Sequence, residues 1–206
     1  MKKMQKLLTV AMFTIVTSSA FAQAKFSIGI KAGPNFASIN TQANADENYK
    51  TRTGFHGGAF ALLKFSQIGI QPEVIFSQQG SKVRINQQDF NSNFSYINIP
   101  IIVKLYTVAG INLQAGPQFG FLTGARSNYD PSTGQSYNST EDVKEAYNKS
   151  DISLALGVGW DLPLGITIDG RYNWGLSDIK SGGGASVKNQ VWQVSVGYKL
   201  LKFGKD

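Results

Sequence analysis

The chain contains no cysteine, and one histidine, among its 206 residues. Without thiols there is neither a disulfide framework nor a thiolate metal site, so packing and hydrogen bonds must hold the fold together. Beyond the first 22 residues no run of 18 apolar residues occurs, which excludes a membrane helix and leaves a membrane strand open. Charged residues make up only 16% of the sequence. Basic residues nowhere cluster with aromatics along one face in a way that would track phosphates, so nucleic acid is not an expected partner. No G-x-S-x-G element is present to mark a hydrolase nucleophile.

What is present begins with Lys2, Lys3 and Lys6, the ten-residue apolar run "LLTVAMFTIV", and "AFA" at 20–22. This is the grammar of a secretory signal peptide over 1–22. Its removal leaves 206 less 22, or 184 residues, one domain over 23–206, and lowers the formal charge from +7 to +4 by taking three lysines away.

The remainder alternates with period two. From Ile152 to Leu162 every even position is apolar and the odd ones are Ser153, Ala155, Gly157, Gly159 and Asp161. The same pattern runs through 25–36, 68–79 (with Ile75 out of phase), 111–122, 166–176 and 191–200. "YINIPIIVKLY", 96–106, sets Ile97, Ile99, Ile101, Val103 and Leu105 against Asn98, Pro100 and Lys104. With 54–65, apolar on both faces, these make eight strands with two unlike faces. Their connections alternate. Those at 66–67, 107–110 and 163–165 are tight, while those near 37–53, 80–93, 123–150 and 177–189 are long and rich in Asn, Ser, Gly and charge. Tight and long turns in alternation predict an all-β, eight-stranded antiparallel up-and-down meander with every long loop at one end.

Alternation alone does not choose between a soluble barrel and a transmembrane one. The polar face does: it is mostly Gly, Ser, Asn and Gln, whereas a water-facing surface is about a quarter to a third charged. Small polar residues suit the inside of a narrow barrel, and the continuous apolar face suits lipid. In hydrocarbon the backbone must satisfy itself, so the sheet must close. Asn98 and Lys104 then face the interior, where Glu73 and Asp169 are candidate partners for the ammonium, and Pro100 is expected at a bulge or barrel bend.

Aromatics predict two girdles: Phe26, Phe65, Tyr106, Trp160 and Tyr198 toward the tight turns, and Trp174 and Trp192, with Phe36, Phe55, Phe76 and Phe121, toward the long loops.

The blocks "IGIKAGPNFA", "GIQPEVIFSQQG", "YINIPIIVKLY", "LQAGPQFGFL" and "IDGRYNWGLSDI" resemble, in sequence and order, the PorT-family outer-membrane β-barrel proteins of Bacteroidetes-type bacteria. The resemblance covers Gln23 to about Leu200. It implies a barrel in the bacterial outer membrane with periplasmic termini, and for some relatives a link to a protein-secretion system. One departure is that the chain runs past Tyr198 and Leu200 through "LKFGKD", where outer-membrane barrels commonly end on an aromatic that assists assembly. Phe203 is the substitute candidate.

Lys31, Glu73, Lys104, Asp161, Asp169 and Arg171 are the interior charges. In a narrow barrel opposite charges pair and fill the lumen, so a plug is expected rather than a solute path. His56 reads as a girdle or loop histidine. "NYDPSTG" reads as a turn, its spacing unlike a calcium loop, "SGGGAS" as a mobile loop, and "EDVKEAYNKS" as a short surface helix. The expected function is a structural or interaction barrel: no catalysis, cofactor or metal, a monomer in outer-membrane lipid, long loops extracellular, with envelope or secretion-system proteins as candidate partners. The alternatives are a small-solute porin, a secretion accessory, and a lipid or peptide hydrolase that would need His56.

Overall fold

Strict alternation lets one ribbon satisfy two solvents at once, and the wall of this protein is built on it. The computed structural model describes residues 24–41, 48–85, 88–129, 136–142, 148–177 and 187–204. The expected signal peptide, 1–22, and "SGGGAS" lie outside the described residues, as does most of "NYDPSTG". Among the described residues nine strands follow one another: β1 (Lys25–Thr41), β2 (Asn48–Phe65), β3 (Ile68–Ile85), β4 (Gln88–Tyr106), β5 (Ile111–Tyr129), β6 (Ser136–Asp142), β7 (Ser150–Asp161), β8 (Ile166–Gly175) and β9 (Val187–Phe203). Eight of them close a barrel in which each pairs antiparallel with its neighbours, and β1 is sealed against β9. β6 stands outside the ring, paired to the upper part of β5 where β7 has ended.

The register fixes the width. Following paired residues once round the wall from Ile111 through Trp160, Ile168, Val196, Ala32, Gly57, Phe76 and Ile97 returns to Phe121, ten residues further along β5. Eight strands with that stagger tilt by about 40° and enclose a cylinder of about 8 Å radius at the backbone, room for side chains and little more.

Burial is inverted relative to a water-soluble domain. Along β5 from Ile111 to Leu122, exposed and buried residues alternate without a break; the exposed ones are chiefly Ile, Leu and Phe, and the buried ones include Asn112, Gln114 and Gln118. The expected lipid-facing set Ile97, Ile99, Ile101, Val103 and Leu105 is outside, while Asn98, Lys104 and the out-of-phase Ile75 are inside. β2, apolar on both faces, turns His56, Phe60 and Leu62 inward and Phe55 outward.

Three expectations are corrected. The strands extend well into the segments that read as long loops: Gly80 pairs with Asn93, Arg84 with Asp89, and Ser38 with Gln190. Spanning lipid needs only about 9–11 residues, and beyond it water bathes both faces, so a ladder no longer requires apolar side chains and the composition reads as loop. The supposed helix at 141–150 begins inside β6 at Glu141 and Asp142; 143–147 lie outside the described residues. Pro100 sits in an unshifted ladder, with Asn98 opposite Ile75 and Ile101 opposite Pro72; the nearest irregularity in β4 is between Ser95 and Tyr96. One missing donor costs one bond and leaves the register intact.

The turns after β4 and β7 share one design, a left-handed pair formed by Ala109 and Gly110 (φ 55° and 83°) and by Leu164 and Gly165 (φ 66° and 95°). Trp160 Nε1 donates to Ala109 O at 2.9 Å, tying one turn to the next strand pair.

Candidate functional site: the filled lumen

The polar faces of the strands converge on the barrel axis, where ionic side chains must find partners or stay out. All six charges expected inside meet there. Glu73 on β3 accepts two bonds from Arg171 on β8, Nη2 to Oε1 at 2.7 Å and Nη1 to Oε2 at 2.9 Å, and a third from Gln71 Nε2 at 2.6 Å. Lys31 on β1 donates to Asp169 Oδ2 at 2.9 Å and lies 3.6 Å from Glu73. Lys104 on β4 reaches Asp161 at 3.4 Å and Asp169 at 3.6 Å; its acids are these two, and Glu73 is turned to Arg171 and Lys31. Gln114 bridges, accepting from Arg171 Nε at 2.6 Å and donating to Asp169.

Two members were missed by the sequence reading. Lys199 Nζ lies 2.7 Å from Asp161 Oδ2. Tyr106, expected in a girdle, is buried in the lumen, its hydroxyl 2.8 Å from Asp161 Oδ2 and its ring 3.7 Å from Lys64 Nζ. Parity could have placed both, since Tyr106 shares the even face of β4 with Asn98 and Lys104, and Lys199 continues the odd face of Gln193 and Ser195.

Glycine makes the room. A Cβ on Gly159 would sit 2.2 Å from Gln114 Nε2 and 2.6 Å from Asp169 Oδ1, and one on Gly157 would sit 2.8 Å from Arg171 Cγ. The ionic layer fits because the wall facing it has no side chains there.

Toward the long hairpins the lumen becomes mostly neutral, with Asp151 a buried carboxylate that accepts from Ser177 Oγ at 2.9 Å. Asn35 donates to Ser77 at 2.8 Å and accepts from Gln193 at 3.1 Å, and Asn173 donates to Gln193 at 2.7 Å. A cavity of about 10 Å³ bordered by Gln79, Gln118, Asp151 and Asn173 remains, at the lower limit for one water. Further along, Phe94 and Tyr96 of β4 and Leu122 and Ala125 of β5 form a buried apolar cluster on the inner face of the wall.

His56 is neither girdle nor loop. It is buried in the lumen, with Nε2 2.8 Å from Ser195 Oγ and Nδ1 without a hydrogen-bond partner among the described residues. The alternation of "GFHGGAFALL" is too weak to have revealed this.

Of the expected girdle, Trp160, Tyr198, Trp174 and Trp192 stand on the outer face, each roughly half exposed. Phe26 and Phe65 are half-buried at the tight-turn end. Phe26 stacks on Phe203 with ring centres 6.0 Å apart. Phe203 is outside because Leu200 bulges: Ile28 faces Leu201 but Gly29 faces Lys199, so the phase of β9 flips. The candidate terminal aromatic is thereby returned to the lipid face.

A closed eight-stranded wall, apolar outward and ionic inward, defines a small transmembrane β-barrel. The chain matches the family described as outer membrane protein beta-barrel domain over residues 21–181, and it belongs to that family. Neisserial surface protein A is similar in structure, with a TM-score of 0.53 at 11% identity over 85% of this chain and 99% of that one. Ail, the attachment invasion locus protein of Yersinia pestis, solved with the heparin analogue sucrose octasulfate, gives 0.48 at 19% identity over 88% and 99% of the two chains. OprG of Pseudomonas aeruginosa gives 0.47 at 11% identity over 89% and 97%. At such identities the likeness is one of fold. No curated protein matches the chain in sequence.

Proposed function

We propose that this protein is a sealed structural or interaction barrel of the bacterial outer membrane, in which the strands anchor, the lumen is a plug, and the long hairpins are displayed outside the cell. On this reading the termini and tight turns are periplasmic, the protein is monomeric in outer-membrane lipid, and its partners are envelope proteins. The PorT-like order of its sequence blocks favours components of a secretion apparatus among them. The single observation that carries the reading is the ionic layer, in which Lys31, Glu73, Lys104, Asp161, Asp169 and Arg171 from five strands close on one another across the barrel. A solute would have to break these pairs, each costly to leave half-made in a dry interior.

Planar-bilayer recordings separate plug from pore: the plug predicts no conductance above background, and stepwise ion-carrying events would establish the porin reading instead. Membrane-impermeant labelling of single cysteines in the hairpins of intact cells tests the orientation. The His56–Ser195 pair has the reach of a nucleophile and its base. It faces a packed interior, and among the described residues its second nitrogen lacks the acid that orients such bases, so we assign it to lumen packing. Loss of a lipid- or peptide-hydrolysing activity in His56→Ala would reverse that assignment.

A further inference from the structure

At the tight-turn end the interior opens into a cavity of about 460 Å³ bordered by Lys25, Lys64, Lys199 and Lys202, with Asp161 the one carboxylate in its wall among the described residues. Asp161 is already held by Lys199 at 2.7 Å, Lys104 at 3.4 Å and the Tyr106 hydroxyl at 2.8 Å. The fold concentrates the cations. Lys25 and Lys64 are direct cross-strand partners, an arrangement that repels when the charges are alike. The bulge at Leu200 gathers two more. Lys199 pairs with Gly29 and Lys202 with Ser27, both on the lumen face, although residues three apart in a regular strand point to opposite faces. The Lys202 ammonium packs over Gly165, where any side chain would displace it. Leu164 and Phe203, both largely exposed, form an apolar rim.

We propose that this mouth binds a phosphate-bearing anion. Like charges gathered around a cavity raise its potential and attract a multivalent counter-ion, and lysine ammonium groups serve phosphate as point charges. The volume lies within the range of ligand sites. The chemistry is shared by a soluble phosphate compound and by a phospholipid headgroup whose chains would lie along the rim.

The test uses the full chain folded in neutral maltoside detergent and phosphate-free buffer. Inorganic pyrophosphate and, separately, dihexanoyl phosphatidylglycerol are titrated while the amide signals of Gly110, Gly165 and Gly204 are followed by NMR. Saturable shifts at these glycines are expected with at least one probe, weakened at least tenfold in Lys64→Gln/Lys202→Gln and unchanged in Lys149→Gln at the opposite end, all variants showing heat-modifiable migration. A response to the lipid alone assigns the headgroup, and one to pyrophosphate alone assigns a soluble ligand. Absence of a saturable shift with both probes, or equal affinity in Lys64→Gln/Lys202→Gln, overturns the proposal.

Discussion

Replacing Glu73 by Gln keeps the volume and removes one charge from the ionic layer. Arg171 loses its bidentate acceptor and Lys31 one of its two acids, at a place where neither side chain meets water. Breaking a buried pair by neutralising one partner costs about 3–5 kcal/mol, and the amide that remains places this change near the lower end. With a denaturant dependence of about 1–3 kcal/mol per molar urea, the unfolding midpoint in lipid vesicles should fall by about 1 M or more. The three tryptophans lie on the outer face and report that transition by fluorescence. Because the pair is buried, the loss should be nearly the same at 0.05 and 1 M salt. Glu73→Gln/Arg171→Met should be less destabilised than the two single changes added together, since replacing both ions removes the orphaned charge. A loss under about 0.5 kcal/mol, or one abolished by salt, is the behaviour of a water-exposed pair and would refute the sealed layer.

Other expectations follow from the same geometry. Gly159→Ala drives a methyl into Gln114 and Asp169; overpacking of this kind costs about 1–3 kcal/mol, read in the same urea assay. Tyr106→Phe deletes a hydroxyl bond to Asp161 while keeping the ring under Lys64, and should cost about 1.5–3 kcal/mol, as bonds to charged groups do. Leu164→Gly, at φ 66° in an exposed turn, should be neutral or stabilising by up to about 1 kcal/mol, because a left-handed Leu carries a strain of roughly that size. A clear destabilisation would show that the Leu164 side chain is needed.

Fold was legible because a closed barrel in lipid has to write itself into the sequence. Ile152–Leu162 and Ile111–Leu122 could not face two solvents in any other period, and the tight connections at 66–67 and 107–110 left antiparallel neighbours as the only arrangement. The six interior charges were legible for the same reason, since each sits in phase with Gly, Ser and Asn. Their partners were not. Which acid Lys104 meets depends on a ten-residue stagger that appears only once all eight registers are set. Tyr106 was misplaced because an aromatic at a strand end suggests the membrane interface more loudly than its parity suggests the lumen. His56 was misplaced because β2 is apolar on both faces, with Phe60 and Leu62 filling the interior beside it. The hairpin extensions were missed because water-bathed ladders and loops share a composition.

Since the chain has no cysteine of its own, single labels report unambiguously on the wall. Nitroxides placed by Val103→Cys, Val158→Cys and Ser153→Cys in the lipid-embedded barrel can be relaxed with oxygen, which partitions into acyl chains, and with a water-soluble nickel complex. The account predicts high oxygen and low nickel accessibility for the labels at 103 and 158, and an immobilised label shielded from both at 153. Nickel accessibility at 103 and 158 equal to that of a water-exposed site would contradict it.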